Sequence, residues 1–138
     1  MVELTRRAYF CAGHRYWRDD WPAEKNRAVF GACANEHGHG HNYTLDVTVA
    51  GEVDATTGMV VNLTVLDRVI QERVIERIDH RNLNADVPEL KDRIPTTEVL
   101  AGFIWDCLDG AIDGIRLLRV RVSESDDLWA ECARRPDA

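Results

Sequence analysis

Hydrophobic and polar residues alternate most cleanly over residues 39–50, where Tyr43, Leu45, Val47 and Val49 are separated by Asn42, Thr44, Asp46 and Thr48. A period of two belongs to a strand with one buried face, so this segment predicts a strand. Residues 4–14 carry the same pattern more weakly: Leu4, Ala8, Phe10, Ala12 and His14 form the apolar set, and Arg6 breaks it. The stretch between them, 15–36, is rich in Asp, Pro, Glu and Lys and reads as a loop. After the turn Asp54-Ala-Thr-Thr-Gly58 and a short extended piece at 59–61, the period changes. Leu66, Val69, Ile70, Val74 and Ile78 line one face of a helix expected over 63–78, capped by Asn62 or Thr64. A second helix follows Pro95 with Thr96 as its cap. It buries Val99, Leu100, Phe103, Ile104, Cys107 and Leu108 and ends at Gly110 or Gly114. Strands at 115–124 and 128–133 flank the turn Ser125-Asp-Asp127.

The order ββααββ with short turns predicts an α+β fold, a four-stranded antiparallel sheet with both helices on one face, as a single domain over 1–138. Two open sheet edges in so small a chain must be covered, charged or paired, which points to a homo-oligomer. The composition, 45% hydrophobic and 30% charged, is that of an ordinary soluble domain. The net charge of −7 argues against nucleic acid as a partner. Glu3, Arg6 and Arg7 interrupt the N-terminal segment, and no run reaches the roughly 20 apolar residues of a membrane helix. The expected location is the cytoplasm. Cys11, Cys33, Cys107 and Cys132 are scattered without CxxC spacing, against both a zinc ribbon and a disulfide framework.

Candidate chemistry gathers around the histidines. His39 and His41 lie two apart on one strand face, their Cα atoms roughly 7 Å apart, and His14 ends the other N-terminal strand on its apolar side. Three imidazoles without a closing cysteine or carboxylate describe an open zinc site, the catalytic pattern, although a His/Gly tract is also compatible with a mobile loop. Cys33, six residues before His39, becomes a competent base or nucleophile beside a cation; otherwise it is a small buried hydrophobe. Asp79-His80 at the end of the first helix is either an oriented acid–base pair or simple capping. Glu124 follows Leu118, Val120 and Val122 on one face. It is either an exposed strand end or an inward carboxylate able to accept two parallel N–H donors.

Phe10-Cys-Ala-Gly-His14-Arg, Phe30-Gly-Ala-Cys33, His39-Gly-His41-Asn-Tyr43, Gly51-Glu-Val-Asp54, Gly58-Met-Val-Val-Asn-Leu63, Ile78-Asp79-His80-Arg-Asn-Leu83, Pro95-Thr-Thr-Glu98 and Val122-Ser-Glu124 occur in that order. Together they resemble the 6-pyruvoyl/6-carboxy-tetrahydropterin synthase family over nearly the whole chain. The resemblance implies zinc at His14, His39 and His41, a catalytic Cys33 partnered by Asp79 and His80, and Glu124 as anchor of a pterin ring with Thr96, Thr97 and Glu98 nearby. It implies the tunnelling fold, in which sheets of several subunits close into a barrel, commonly a hexamer built as a dimer of trimers with pockets at subunit interfaces. The substrate implied is 7,8-dihydroneopterin triphosphate, converted to 6-pyruvoyl-tetrahydropterin with loss of triphosphate. An alternative is the 6-carboxy product of queuosine and deazapurine biosynthesis. Cys11 and Gly13 depart from the small residues usual beside the first histidine, and Asn62 stands where many bacterial members carry Asp. The six-residue step from Cys33 to His39 is that of the pyruvoyl-forming enzymes; His37 sits at the shorter step of the carboxy-forming ones. Two readings from other classes stay open, a cupin-like metal oxygenase suggested by Gly31-x5-His37-x-His39 and a non-catalytic metal-binding module.

Overall fold

The computed structural model describes residues 1–135, so the last three positions of the expected 1–138 domain lie outside the described residues. The strands are β1 (Val2–His14), β2 (His39–Gly51), β3 (Arg81–Asn82), β4 (Arg116–Ser125) and β5 (Leu128–Ala133). They form one sheet in the order β3-β1-β2-β4-β5. The four long strands expected from alternation are present and pair antiparallel. The expected all-antiparallel, four-stranded sheet needs correcting: β3 adds a fifth strand, parallel to β1 through Ala12 and Gly13, and makes the sheet mixed. Two residues are too few to carry a period, and their pairing is imposed from outside the segment.

The even positions of β1 and the odd positions of β2 face the helices. Phe10, Ala12, Tyr43, Leu45, Val47 and Val49 meet Leu66, Ile70, Leu100 and Ile104 in one core. Arg6 lies on that face and is no exception to it, because its guanidinium donates two hydrogen bonds, 2.7 and 2.9 Å, to the Asp67 carboxylate on the overlying helix. On β4 a bulge opposite Thr48/Val49 shifts the phase. Leu117 is therefore the buried residue and Leu118 only half-buried, the reverse of simple alternation, while Val120, Val122 and Glu124 keep the inward side.

Helix α1 (Ala23–Phe30) and the 3-10 turn Gly31–Ala34 occupy the segment expected to be a loop. The signal was faint because the residue α1 buries is polar. The Asn26 side chain accepts from Arg18 N–H and donates to the carbonyls of Arg18, Trp21 and Pro22. The helix expected over 63–78 consists of α2 (Leu63–Ile70), a π-helical turn Gln71–Ile75 and α3 (Glu76–Ile78). Leu66, Ile70, Val74 and Ile78 repeat strictly every four residues, which drifts around a 3.6-residue helix, and the wider turn takes up that drift. Asn62 caps α2 by accepting from Thr64 N–H, a role that Asp fills equally well. Thr96 caps α4 (Thr97–Leu108) by accepting from Val99 N–H, and Gly110 follows at φ 74°. Residues 59–61 join no strand. Among the described residues, no helix is long and apolar enough to cross a membrane.

Candidate active site

The β1–β2 register sets His14 directly opposite His39 and Ala12 opposite His41. Both strands present these histidines to the helix side, so three rings meet at one end of the sheet. Glycines permit the close approach. A Cβ on Gly38, at φ 68°, would sit 2.5 Å from the His14 carbonyl oxygen, and one on Gly40 would press on the Ala12 carbonyl at 3.2 Å. The ring centroids are 4.6, 5.1 and 4.9 Å apart, with interplanar angles of 72°, 83° and 88°. One nitrogen from each ring lies within 4.8 Å of the others.

His14 is 1% exposed, and its Nδ1–H donates to the Pro95 carbonyl at 2.8 Å. That bond leaves the lone pair on Nε2, which points at His39 Nε2 only 3.0 Å away. Burial, reinforced by the neighbouring imidazoles, lowers the pKa of both His14 and His39 and so favours neutral, ligating rings. His41 Nε2 is buried without a hydrogen-bond partner among the described residues. Three converging ring nitrogens, one of them orphaned, suit a divalent cation such as zinc with a fourth position left open.

Glu124 borders this cluster. Its Oε2 accepts a 2.7 Å hydrogen bond from the Thr97 hydroxyl and lies 3.8 Å from His41 Nε2. Of the three residues expected near the pocket, Thr97 is thus tied to Glu124. Thr96 caps its helix, and the Glu98 charge is felt at Tyr16. Tyr16 was not singled out by the sequence. It packs edge-on against His14 at 4.9 Å, and burial and then Glu124 push its hydroxyl pKa far up. Its position two residues beyond His14, continuing the β1 alternation, was the available signal. Cys33 sits on the 3-10 turn, fastened by Tyr16 N–H to its carbonyl at 2.8 Å. Burial, then the Glu124 charge, push its thiol pKa up.

Asp79 and His80 lie elsewhere. The Asp79 carboxylate accepts from Cys11 N–H and His80 Nδ1–H, both at 2.9 Å, and is held below the usual carboxylate range, mainly by the Cys11 bond. The His80 side chain is 79% exposed and lines a cleft with Cys11 and Asn42, on the sheet face away from the helices. Among the described residues, no hydrogen bond or ion pair joins Cys33 to either. His37 lies outside the three-histidine cluster and lines a separate open cleft with Arg15, Lys91 and Asp92.

A family model described as 6-pyruvoyl tetrahydropterin synthase matches residues 3–135. The chain is 42% identical over 126 residues to the human protein named 6-pyruvoyl tetrahydrobiopterin synthase, covering 91% of this chain and 87% of that one. It is 38% identical over 96 residues to a putative 6-carboxy-5,6,7,8-tetrahydropterin synthase of Archaeoglobus fulgidus, covering 70% and 76%. The solved structure of Caenorhabditis elegans 6-pyruvoyl tetrahydropterin synthase superposes with a TM-score of 0.89 at 32% identity, covering 97% of this chain and 96% of that one. A fold of this kind leaves no room for the cupin reading. With its site assembled from β1, β2, β4 and the start of α4, this chain belongs to the 6-pyruvoyl tetrahydropterin synthase family.

Proposed function

We propose that the chain is a zinc-dependent lyase converting 7,8-dihydroneopterin triphosphate to 6-pyruvoyl-tetrahydropterin with loss of triphosphate. The observation that carries this reading is the meeting of three ligand-ready imidazoles with a buttressed carboxylate, Glu124, at one end of the sheet. His14, His39 and His41 would hold the zinc, and the chemistry it supplies there is Lewis acidity toward the side-chain hydroxyls of the substrate. Glu124, steered by Thr97, offers both oxygens to the parallel N–H donors of a pterin edge. Cys33 as thiolate removes a proton from the substrate side chain, and His80, oriented by Asp79, returns one. Tautomerisation with departure of triphosphate completes the change without an external oxidant.

One subunit keeps Cys33 and His80 apart. The reading therefore sets the Asp79–His80 pair of one copy against the Cys33 of its neighbour. That agrees with a homo-oligomer, expected as a dimer of trimers, and with the exposed Leu128 and Trp129 along β5, an open sheet edge.

The test is incubation of the zinc-loaded protein with 7,8-dihydroneopterin triphosphate and identification of products by mass spectrometry. Triphosphate and a pyruvoyl pterin are expected. A 6-carboxy pterin would move the chain to the second reading, which the Archaeoglobus relative supports at lower coverage. Unchanged substrate would overturn the lyase and leave a non-catalytic metal-binding protein. Thr97→Val removes the bond that aims Glu124, and is expected to raise KM about tenfold with kcat little changed. A fall in kcat at constant KM would contradict a positioning role.

A further inference from the structure

Cys11 lies on the sheet face opposite the three histidines, and no step above uses its side chain. We propose that Cys11, Asp79 and His80 form a second divalent-cation site, suited to thiophilic ions such as Zn²⁺, Co²⁺ or Cd²⁺. One donor atom from each residue lies within 4.8 Å of the others. A tetrahedral ion with bonds of about 2.0–2.3 Å spaces its ligands about 3.3–3.8 Å apart, so small side-chain adjustments close the set. The backbone holds the donors side by side. His80 N–H donates to the Cys11 carbonyl at 2.6 Å, and Cys11 N–H donates to Asp79 Oδ1 at 2.9 Å. His80 is the one non-glycine among the described residues with positive φ, at 59°, and its Nδ1 lies 2.9 Å from Asp79 Oδ1.

In the single subunit Cys11 and His80 border a cleft of about 400 Å³. Asn42, opposite Cys11 in the register, accepts from the Cys11 thiol at 3.0 Å and places an amide oxygen within reach as a further ligand. A thiolate, an imidazole and a carboxylate select borderline-soft cations over Mg²⁺ and Ca²⁺. On binding, the thiol proton is released to solvent. The imidazole proton passes from Nδ1 to Nε2, so one proton leaves per ion.

Occupancy would take up the His80 and Asp79 atoms that the proposed reaction uses for proton return. Resting on that reading, metal beyond the first equivalent is expected to inhibit turnover.

The test is titration of the full-length, metal-free protein with Co²⁺ alone, following stoichiometry and thiolate-to-cobalt charge-transfer absorption. The three-histidine site contains no thiolate, so the two sites are spectroscopically distinct. Two ions per subunit are expected, the second with the charge-transfer band. Cys11→Ser should bind one ion without the band, and Cys33→Ala should keep both. His80→Asn, which tolerates the left-handed backbone, should weaken the second ion at least about tenfold and provides the same check if Cys11→Ser folds poorly. A single ion per subunit in the unaltered protein, or a band that survives Cys11→Ser, overturns the site. In turnover assays, Cys11→Ser should tolerate excess Zn²⁺ that inhibits the unaltered enzyme. Absence of any turnover would count against the lyase reading alone, because the cobalt spectra do not depend on it.

Discussion

Cys33→Ala is expected to lower kcat by about 10²–10⁴-fold, the usual contribution of a positioned acid or base, with metal content and thermal stability close to unchanged. The substitution removes one sulfur atom from a half-buried turn whose hydrogen bonds run through the backbone, so the fold has little to lose. The electrostatics sharpen the expectation. Burial and the nearby Glu124 charge both disfavour the thiolate, lifting the thiol above its ordinary value of about 9. A divalent cation held by His14, His39 and His41 would oppose the Glu124 field and favour the thiolate, so the metal would make the base available. Alkylation with iodoacetamide, resolved by peptide mass spectrometry to separate Cys33 from the other thiols, checks the sign. In the metal-free protein the Cys33 midpoint is expected above pH 9, and zinc should move it to lower pH. A midpoint indifferent to zinc, or full turnover in Cys33→Ala, would remove Cys33 from the mechanism.

The parts of this site that depend on strand periodicity were legible in the sequence. His39 and His41 share a face because they are two apart, and His14 joins them because the alternation of β1 ends on it. What periodicity does not carry is which face a neighbouring motif serves. Asp79-His80 and Cys33 read as parts of one centre, yet the chain turns at His80 against the far side of Cys11. The same limit explains β3 and α1. The first exists only because Ala12 and Gly13 offer it a partner, and the second because Asn26 gathers four backbone groups that a polar sequence does not advertise. The phase shift on β4 had no local signal either, since Leu117 and Leu118 are chemically identical and only the bulge decides between them.

Thr97 shows how a residue legible as a helix start acquires a second role. Its neighbour Thr96 performs the capping, which frees the Thr97 hydroxyl, 1% exposed, to hold Glu124. A helix terminus and a strand end are thereby locked together at the point where a ligand edge would be read.

His39→Ala is expected to reduce bound zinc well below one ion per subunit at the three-histidine site and to lower turnover about 10³-fold or more. That corresponds to about 4 kcal/mol of transition-state stabilisation, the scale on which a Lewis acid acts. His39 is the ligand to choose because its removal isolates the metal from the fold. It is half-buried at the strand end, whereas His14 is buried and donates to the Pro95 carbonyl. Losing His14 would leave that carbonyl without its donor, a penalty of about 1–3 kcal/mol that would confuse a metal effect with a stability effect. His39→Ala should therefore leave the Tm of the metal-free protein nearly unchanged and abolish the rise in Tm that zinc confers on the unaltered chain. Metal analysis belongs in a Cys11→Ser background, so that an ion held by the thiolate does not mask the loss. Full zinc occupancy in that double variant would show that two imidazoles suffice, and the open three-histidine centre would have to be abandoned.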